Sequence, residues 1–167
     1  VGARSITVTA ENKTRKYGDA NPALTWTVGG DSLVNSDTLT GALATTATTT
    51  SGIGAYAIAQ GTLAASSNYA IAYTSGTLTV GARSITVTAE NKTRKYGNAN
   101  PDLTWTVGGD GFYGSDSLTT QPTLSTSAGI SSSIGSYDIA ASGAAASSNY
   151  AIAYTSGTLT VGARSIT

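Results

Sequence analysis

The chain has no cysteine, no histidine and no methionine. Without cysteine there is no disulfide, no thiol nucleophile and no thiolate metal ligand. Without histidine the imidazole-dependent triads and the common zinc sites are excluded as well. Charge is scarce: nine basic and nine acidic residues make up 11% of the 167, well under the usual ~25%. Their sum is zero, so the chain carries no electrostatic footprint for nucleic acid or for an anionic membrane surface. No run approaches the roughly 18 apolar residues of a membrane-crossing helix, which argues against direct membrane insertion. No basic-then-apolar leader opens the sequence. Only oxygen-ligand metals and carboxylate, lysine or tyrosine chemistry stay open.

What is present is repetition. Val1–Gly18 is identical to Val80–Gly97, and Ala65–Val80 matches Ala146–Val161. The opening Val-Gly-Ala-Arg-Ser-Ile-Thr returns at Val80 and again at Val161, so the period is 79 residues and then 81. The sequence therefore reads as an excerpt of a longer periodic protein, with module 1 at 1–80, module 2 at 81–161 and the start of a third repeat at 162–167. The two additional residues fall where Thr40–Leu43 becomes Thr119–Leu124, which places a loop or sheet edge there. A period near 80 is long for a solenoid repeat and long enough for a small domain with its own core.

Within a module the signals are those of β-structure. Ile6, Val8 and Ala10 alternate with polar residues, as do Leu24, Trp26 and Val28. Tyr56 and Ile58 share a face, as do Tyr69, Ile71 and Tyr73, and then Leu78 and Val80. These residues form the predicted core, and Trp26 and Trp105 read as core aromatics rather than glycan platforms. Thr74-Ser75-Gly76 predicts a hairpin turn joining Tyr69–Tyr73 to Thr77–Val80. Leu43–Thr50 is read as a further strand. Ser36–Leu39 is the one candidate helix, with Ser36 or Asp37 as its cap. The expected fold is mostly β: tandem small antiparallel modules in an elongated rod, each β-grasp-like in two layers with one short helix, or alternatively an immunoglobulin-like sandwich. Gly81, Ala82 and Arg83 form the module junction, too short for a flexible linker.

The run Ile6–Ala10, then Lys16–Thr25 with its Tyr17-Gly18-Asp19, then Gly54–Ile58, Asn68–Tyr73 and Gly76–Val80, resembles the MBG domain of the YGX type. The second copy repeats the pattern at Lys95–Thr104, Gly135–Ile139 and Asn149–Val161. The resemblance implies tandem arrays in large bacterial surface adhesins of the filamentous-haemagglutinin kind, extracellular or anchored at the cell surface. It implies stalk or adhesive modules without catalytic residues or cofactors. Asp19 becomes Asn98, so the loop after Tyr-Gly does not require a carboxylate.

Candidate contact residues are few. Tyr17 and Tyr96 lie beside lysines and could stack on a sugar, although a tyrosine plugging the core before a glycine turn is the simpler reading. Phe112 and Tyr113 replace Leu33 and Val34 in module 2 and are the best candidates for a glycan or host-surface contact. Asp19, Asn21, Asp31 and Asp37 are a thin set for calcium. Asn12 with Lys13 or Lys16 and Glu11 is a weak candidate for an isopeptide bond. The Glu11–Lys16 charge cluster reads as a solvated sheet edge. No pattern satisfies the requirements of an enzyme. The expected function is a stiff extracellular stalk whose partners are its neighbouring repeats. The alternatives are a self-assembling fibre of many copies and a module for glycans or a host receptor.

Overall fold

Alternation decides which face of each strand is buried. In β1 (Arg4–Ala10) Ile6, Val8 and Ala10 are buried, whereas Ser5, Thr7 and Thr9 are exposed. The computed structural model describes residues 2–166, so Val1 and Thr167, at the two ends of the repeat pattern, lie outside it. Among the described residues there are thirteen strands and no helix. The chain divides into two compact units, Val1–Ala82 and Arg83–Thr167.

The first unit contains β1, β2 (Lys13–Lys16), β3 (Trp26–Gly30), β4 (Gly54–Ile58), β5 (Tyr69–Thr74) and β6 (Gly76–Gly81). They form two sheets of three strands, ordered β3-β1-β5 and β2-β6-β4. Each sheet has one parallel and one antiparallel pair, which corrects the expected antiparallel module. The parallel pairs arise because two long chain segments run side by side through both sheets. Arg4 pairs with Tyr69 in the first sheet and Lys16 with Gly81 in the second. The separation in sequence is the same, 65 residues, at both ends and at the break between them, where the Thr77 N–H donates to Asn12 Oδ1 at 2.8 Å.

The predicted hairpin at Thr74–Gly76 is therefore not formed. The chain passes through Ser75 from one sheet into the other, and β5 and β6 do not pair with each other. Gly76 permits the passage because a Cβ there would lie 2.7 Å from the Ala10 carbonyl oxygen. The predicted helix at Ser36–Leu39 is absent. Asn35 and Ser36 have φ of 54° and 62°, which a right-handed helix cannot accept. The predicted strand at Leu24–Val28 shifts to Trp26–Gly30. Over Leu43–Thr50 only an isolated bridge forms, Ala44 with Ala59.

Ile6, Val8 and Tyr69 from the first sheet and Ile58 and Leu78 from the second share one buried cluster, which Leu43, Ala47 and Leu63 from the connections complete. Leu24, Trp26, Val28, Tyr56, Ile71 and Tyr73 are half-buried against it. Burying apolar surface at about 25 cal/mol per Å² stabilises such a module only modestly, because few side chains are fully enclosed.

The second unit repeats this plan with β7 (Arg83–Ala89), β8 (Lys92–Lys95), β9 (Trp105–Gly109), β10 (Thr123–Thr126), β11 (Gly135–Ser142), β12 (Tyr150–Thr155) and β13 (Gly157–Gly162). Its sheets are β12-β7-β9 and β10-β11-β13-β8. The register separation becomes 67 residues, again at both ends and at the break, where Thr158 N–H meets Asn91 Oδ1 at 2.8 Å. The two additional residues precede β10, a strand at the sheet edge. Four-residue β10 stands where the first unit has only the Ala44–Ala59 bridge.

Candidate functional site

The functional question for this chain is what holds and presents its loops. Strand β2 decides the first part. Period-two alternation turns Arg15 inward while Thr14 and Lys16 face water. The guanidinium is buried, at 8% exposure, and no carboxylate lies among its hydrogen-bond acceptors. Its Nε donates to Asn21 Oδ1 at 2.7 Å, Nη1 to the Lys16 carbonyl at 3.1 Å and Nη2 to the Thr48 carbonyl. Asn21 passes the connection on, its Nδ2 donating to the Ala47 carbonyl at 2.6 Å.

Module 2 reproduces this clamp. Arg94 donates to Asn100 Oδ1 at 2.7 Å, to the Lys95 carbonyl at 3.4 Å and to the Gly129 carbonyl at 2.5 Å, while Asn100 donates to the Ala128 carbonyl at 2.7 Å. The held loops differ in sequence, Thr48 against Gly129, but the acceptors are main-chain carbonyls and do not depend on the side chain. The Glu11–Lys16 cluster is thus only partly a solvated edge: Lys13 and Glu11 pair at 3.0 Å at the surface, and Arg15 belongs to the interior.

A second clamp holds the loop after β3. The Val34 N–H donates to Tyr69 Oη at 3.1 Å, and Tyr69 Oη donates to Asp37 Oδ2 at 2.7 Å. In module 2 the Tyr113 N–H donates to Tyr150 Oη at 3.0 Å, and Tyr150 Oη donates to Asp116 Oδ2 at 2.6 Å. Again the tyrosine reads backbone where Val34 has become Tyr113. Backbone geometry diverges in step: Ser32 and Asn35 have φ of 61° and 54°, and the corresponding positions in module 2 are Gly111 and Gly114, at 71° and 59°, where glycine adopts this conformation without strain. Beside this loop of module 1 lies a groove of about 320 Å³, whose lining includes Ala3, Arg4, Val34, Asp37, Asn68 and Tyr69.

The residues singled out from sequence fall in different settings. Phe112 is half-buried, its ring edge-on to Tyr150 with centroids 5.0 Å apart, and Tyr113 is half-buried beside it. Tyr17 is buried, and Tyr96, in the same local sequence, is 45% exposed. Their N–H groups make corresponding bonds, to Gly81 and Gly162 carbonyls, both at 2.9 Å. Of the junction residues, Gly81 ends β6 opposite Lys16 and Arg83 begins β7 opposite Tyr150, so Ala82 alone stands between strands. Arg83 donates to the Asp110 and Gly111 carbonyls at 3.0 and 2.9 Å.

The residues considered for calcium are not gathered. Asn21 serves Arg15, Asp31 accepts from the Ser5 N–H at 3.2 Å, and Asp37 serves Tyr69. Among the described residues no group of three or more carboxylates comes together. Asn12 is engaged by Thr77 rather than by a lysine amine.

The carboxylate of Glu11 accepts from Thr25 Oγ1 and from Lys13, and these bonds hold its pKa below the ordinary carboxylate value. Glu90 is lowered likewise, first by Thr104. Burial raises the pKa of Tyr73, whose hydroxyl donates to the Ile58 carbonyl at 2.6 Å.

Sequence reasoning considered Asn21 for calcium and Asn12 for an isopeptide bond, and took Arg15 only as part of a surface charge cluster, so it missed the hydrogen-bonding role of all three. The signals were available: Arg15 occupies the inward position of an alternating segment, and all three recur in the second copy.

No curated protein and no solved structure matches the chain. A family model does match, twice, over residues 6–79 and 85–160. Those two spans fall one within each compact unit and include the clamps of both, and the chain belongs to the family of the MBG domain (YGX type).

Proposed function

We propose that this chain is a non-catalytic structural segment of an extracellular or cell-surface bacterial adhesin, in which successive modules act as a stiff stalk. The observation that carries the reading is the junction: one residue, Ala82, separates β6 from β7, and a connector that short leaves little freedom for bending. Family membership is consistent with it, since MBG domains are associated with surface repeat proteins. The clamps add a reason for repeats that differ in their loops. Arg15 and Tyr69 hold main-chain atoms, so loop side chains vary without loss of the frame.

The test uses the absence of native cysteine. One cysteine is introduced on an exposed strand position in each module, both are spin-labelled, and the distance distribution is measured. A narrow distribution that broadens when a Gly/Ser segment is inserted after Ala82 supports the stalk. A distribution already broad in the parent protein overturns it.

A further inference from the structure

The sheet edges of module 1 are not protected equally. Strand β2 carries Lys13 and Lys16 along its edge, the usual guard against strand pairing. Strand β3 ends in Gly29 and Gly30, the latter at φ 76°, which interrupts a flat edge. Along the continuous line of β5 and β6, one side is lined by β1 and β2. On the other side β6 is paired with β4, while β5 has no strand. The chain leaving β4 does not supply one, because Ala59 and Ala64 bridge to Ala44 and Thr40.

The unguarded strand is Tyr69-Ala70-Ile71-Ala72-Tyr73-Thr74, without charge, proline or glycine. Tyr69, Ile71 and Tyr73 turn toward the core, and Ala70 and Ala72 are exposed and small. Its first five residues read the same in both directions. An antiparallel pair of such strands centred on Ile71 sets Tyr69 against Tyr73, Ala70 against Ala72 and Ile71 against its own copy. It keeps the apolar face of both sheets on the same side. That is the self-complementarity an isologous interface requires.

We propose that the free edge of β5 is a docking site for a second copy of this chain, joined by antiparallel strand addition into one sheet of six strands, β3-β1-β5 and its mate. Strand β12 carries the same six residues and also ends its sheet. A chain of this kind therefore presents one such edge in each module. This goes beyond the stalk reading and does not rest on it.

The experiment is sedimentation velocity across a concentration series, on the parent chain and on a variant carrying Ala70→Lys, Ala72→Lys, Ala151→Lys and Ala153→Lys. In the proposed register these substitutions set lysine against lysine. The parent is expected to associate as concentration rises. The variant is expected to associate at least about tenfold more weakly, with unchanged circular dichroism. A parent that is monomeric throughout, or association that survives the lysines, overturns the proposal. Should the variant not fold, cysteine pairs read the register directly. Ala70→Cys/Ala151→Cys protein mixed with Ala72→Cys/Ala153→Cys protein is expected to form disulfides at least about tenfold faster than either alone. Equal rates in all three samples, or no cross-linking, overturn it.

Discussion

Arg15 Nε lies 2.7 Å from Asn21 Oδ1, and through this pair a buried guanidinium holds two main-chain carbonyls, of Ala47 and Thr48, in a loop more than twenty residues away. Hydrogen bonds from a charged group contribute more than neutral ones, so the bonds from this one buried guanidinium to Asn21 and Thr48 tie β2 firmly to the loop. The frame of the module is thus fixed by recognition of backbone.

Arg15→Ala is expected to destabilise module 1 by about 2–4 kcal/mol, since it removes charge-assisted bonds and leaves the Thr48 carbonyl and Asn21 without their partner. Arg15→Lys is expected to recover only part of this, because an ammonium cannot reproduce the fork. Urea unfolding measures the loss, and hydrogen exchange of residues 45–52 is expected to accelerate. An unchanged midpoint for Arg15→Ala would show that the clamp is idle.

Asn12 Oδ1 accepts from Thr77 N–H where the parallel ladder is interrupted. Only an acceptor is needed there. Asn12→Asp is expected to be nearly neutral, and Asn12→Ala to cost about 1 kcal/mol. Thermal unfolding of the two variants side by side checks this role: an aspartate variant as damaged as the alanine variant would contradict it.

Two glycines are expected to respond oppositely to alanine. At Gly76 the new Cβ would meet the Ala10 carbonyl oxygen at 2.7 Å, and at Gly108 it would meet nothing within 4 Å. Gly76→Ala is expected to destabilise by about 1–3 kcal/mol through overpacking against main chain. Gly108→Ala is expected to stabilise by a few tenths of a kcal/mol or more, by restricting the unfolded chain. Denaturant midpoints give both signs.

The pH profile follows from the three shifted groups. Glu11 and Glu90 have folded pKa values below their ordinary value. Their contribution is present above the unfolded carboxylate pKa and is lost as pH falls through the folded one. Tyr73 is raised, so its contribution is present below about 10 and is lost as pH rises through the folded value. With no histidine or cysteine side chain to titrate between these limits, the melting temperature is expected to be level from about pH 6 to 9. It is expected to decline modestly in acid and again in strong base, and Tyr73→Phe is expected to remove part of the alkaline decline. A step near pH 6.5 would contradict this account.

The positions of β1, β4, β5 and β6 were legible from alternation, because half-buried strands leave a period of two in the sequence. Strand β2 was not, since Lys13-Thr14-Arg15-Lys16 looks like a solvated run until one of its cations is seen to be buried. The helix expected near Ser36–Leu39 failed for a local reason. Asn35 and Ser36 adopt positive φ, and Asp37, one of the expected caps, accepts from Tyr69 Oη instead. Phe112 and Tyr113 were identifiable as departures between the copies, but that Phe112 packs on Tyr150 depends on a strand almost forty residues downstream.

By itself the sequence determined the repeat, its length, the β-rich class and the inward faces of the main strands, because these follow from identity and periodicity along the chain. Tertiary structure alone decided which strands are neighbours. The parallel ladder between β1–β2 and β5–β6, the passage at Gly76 and the enclosure of Arg15 all join residues that are distant in sequence. Their energies depend on partners that no local pattern specifies.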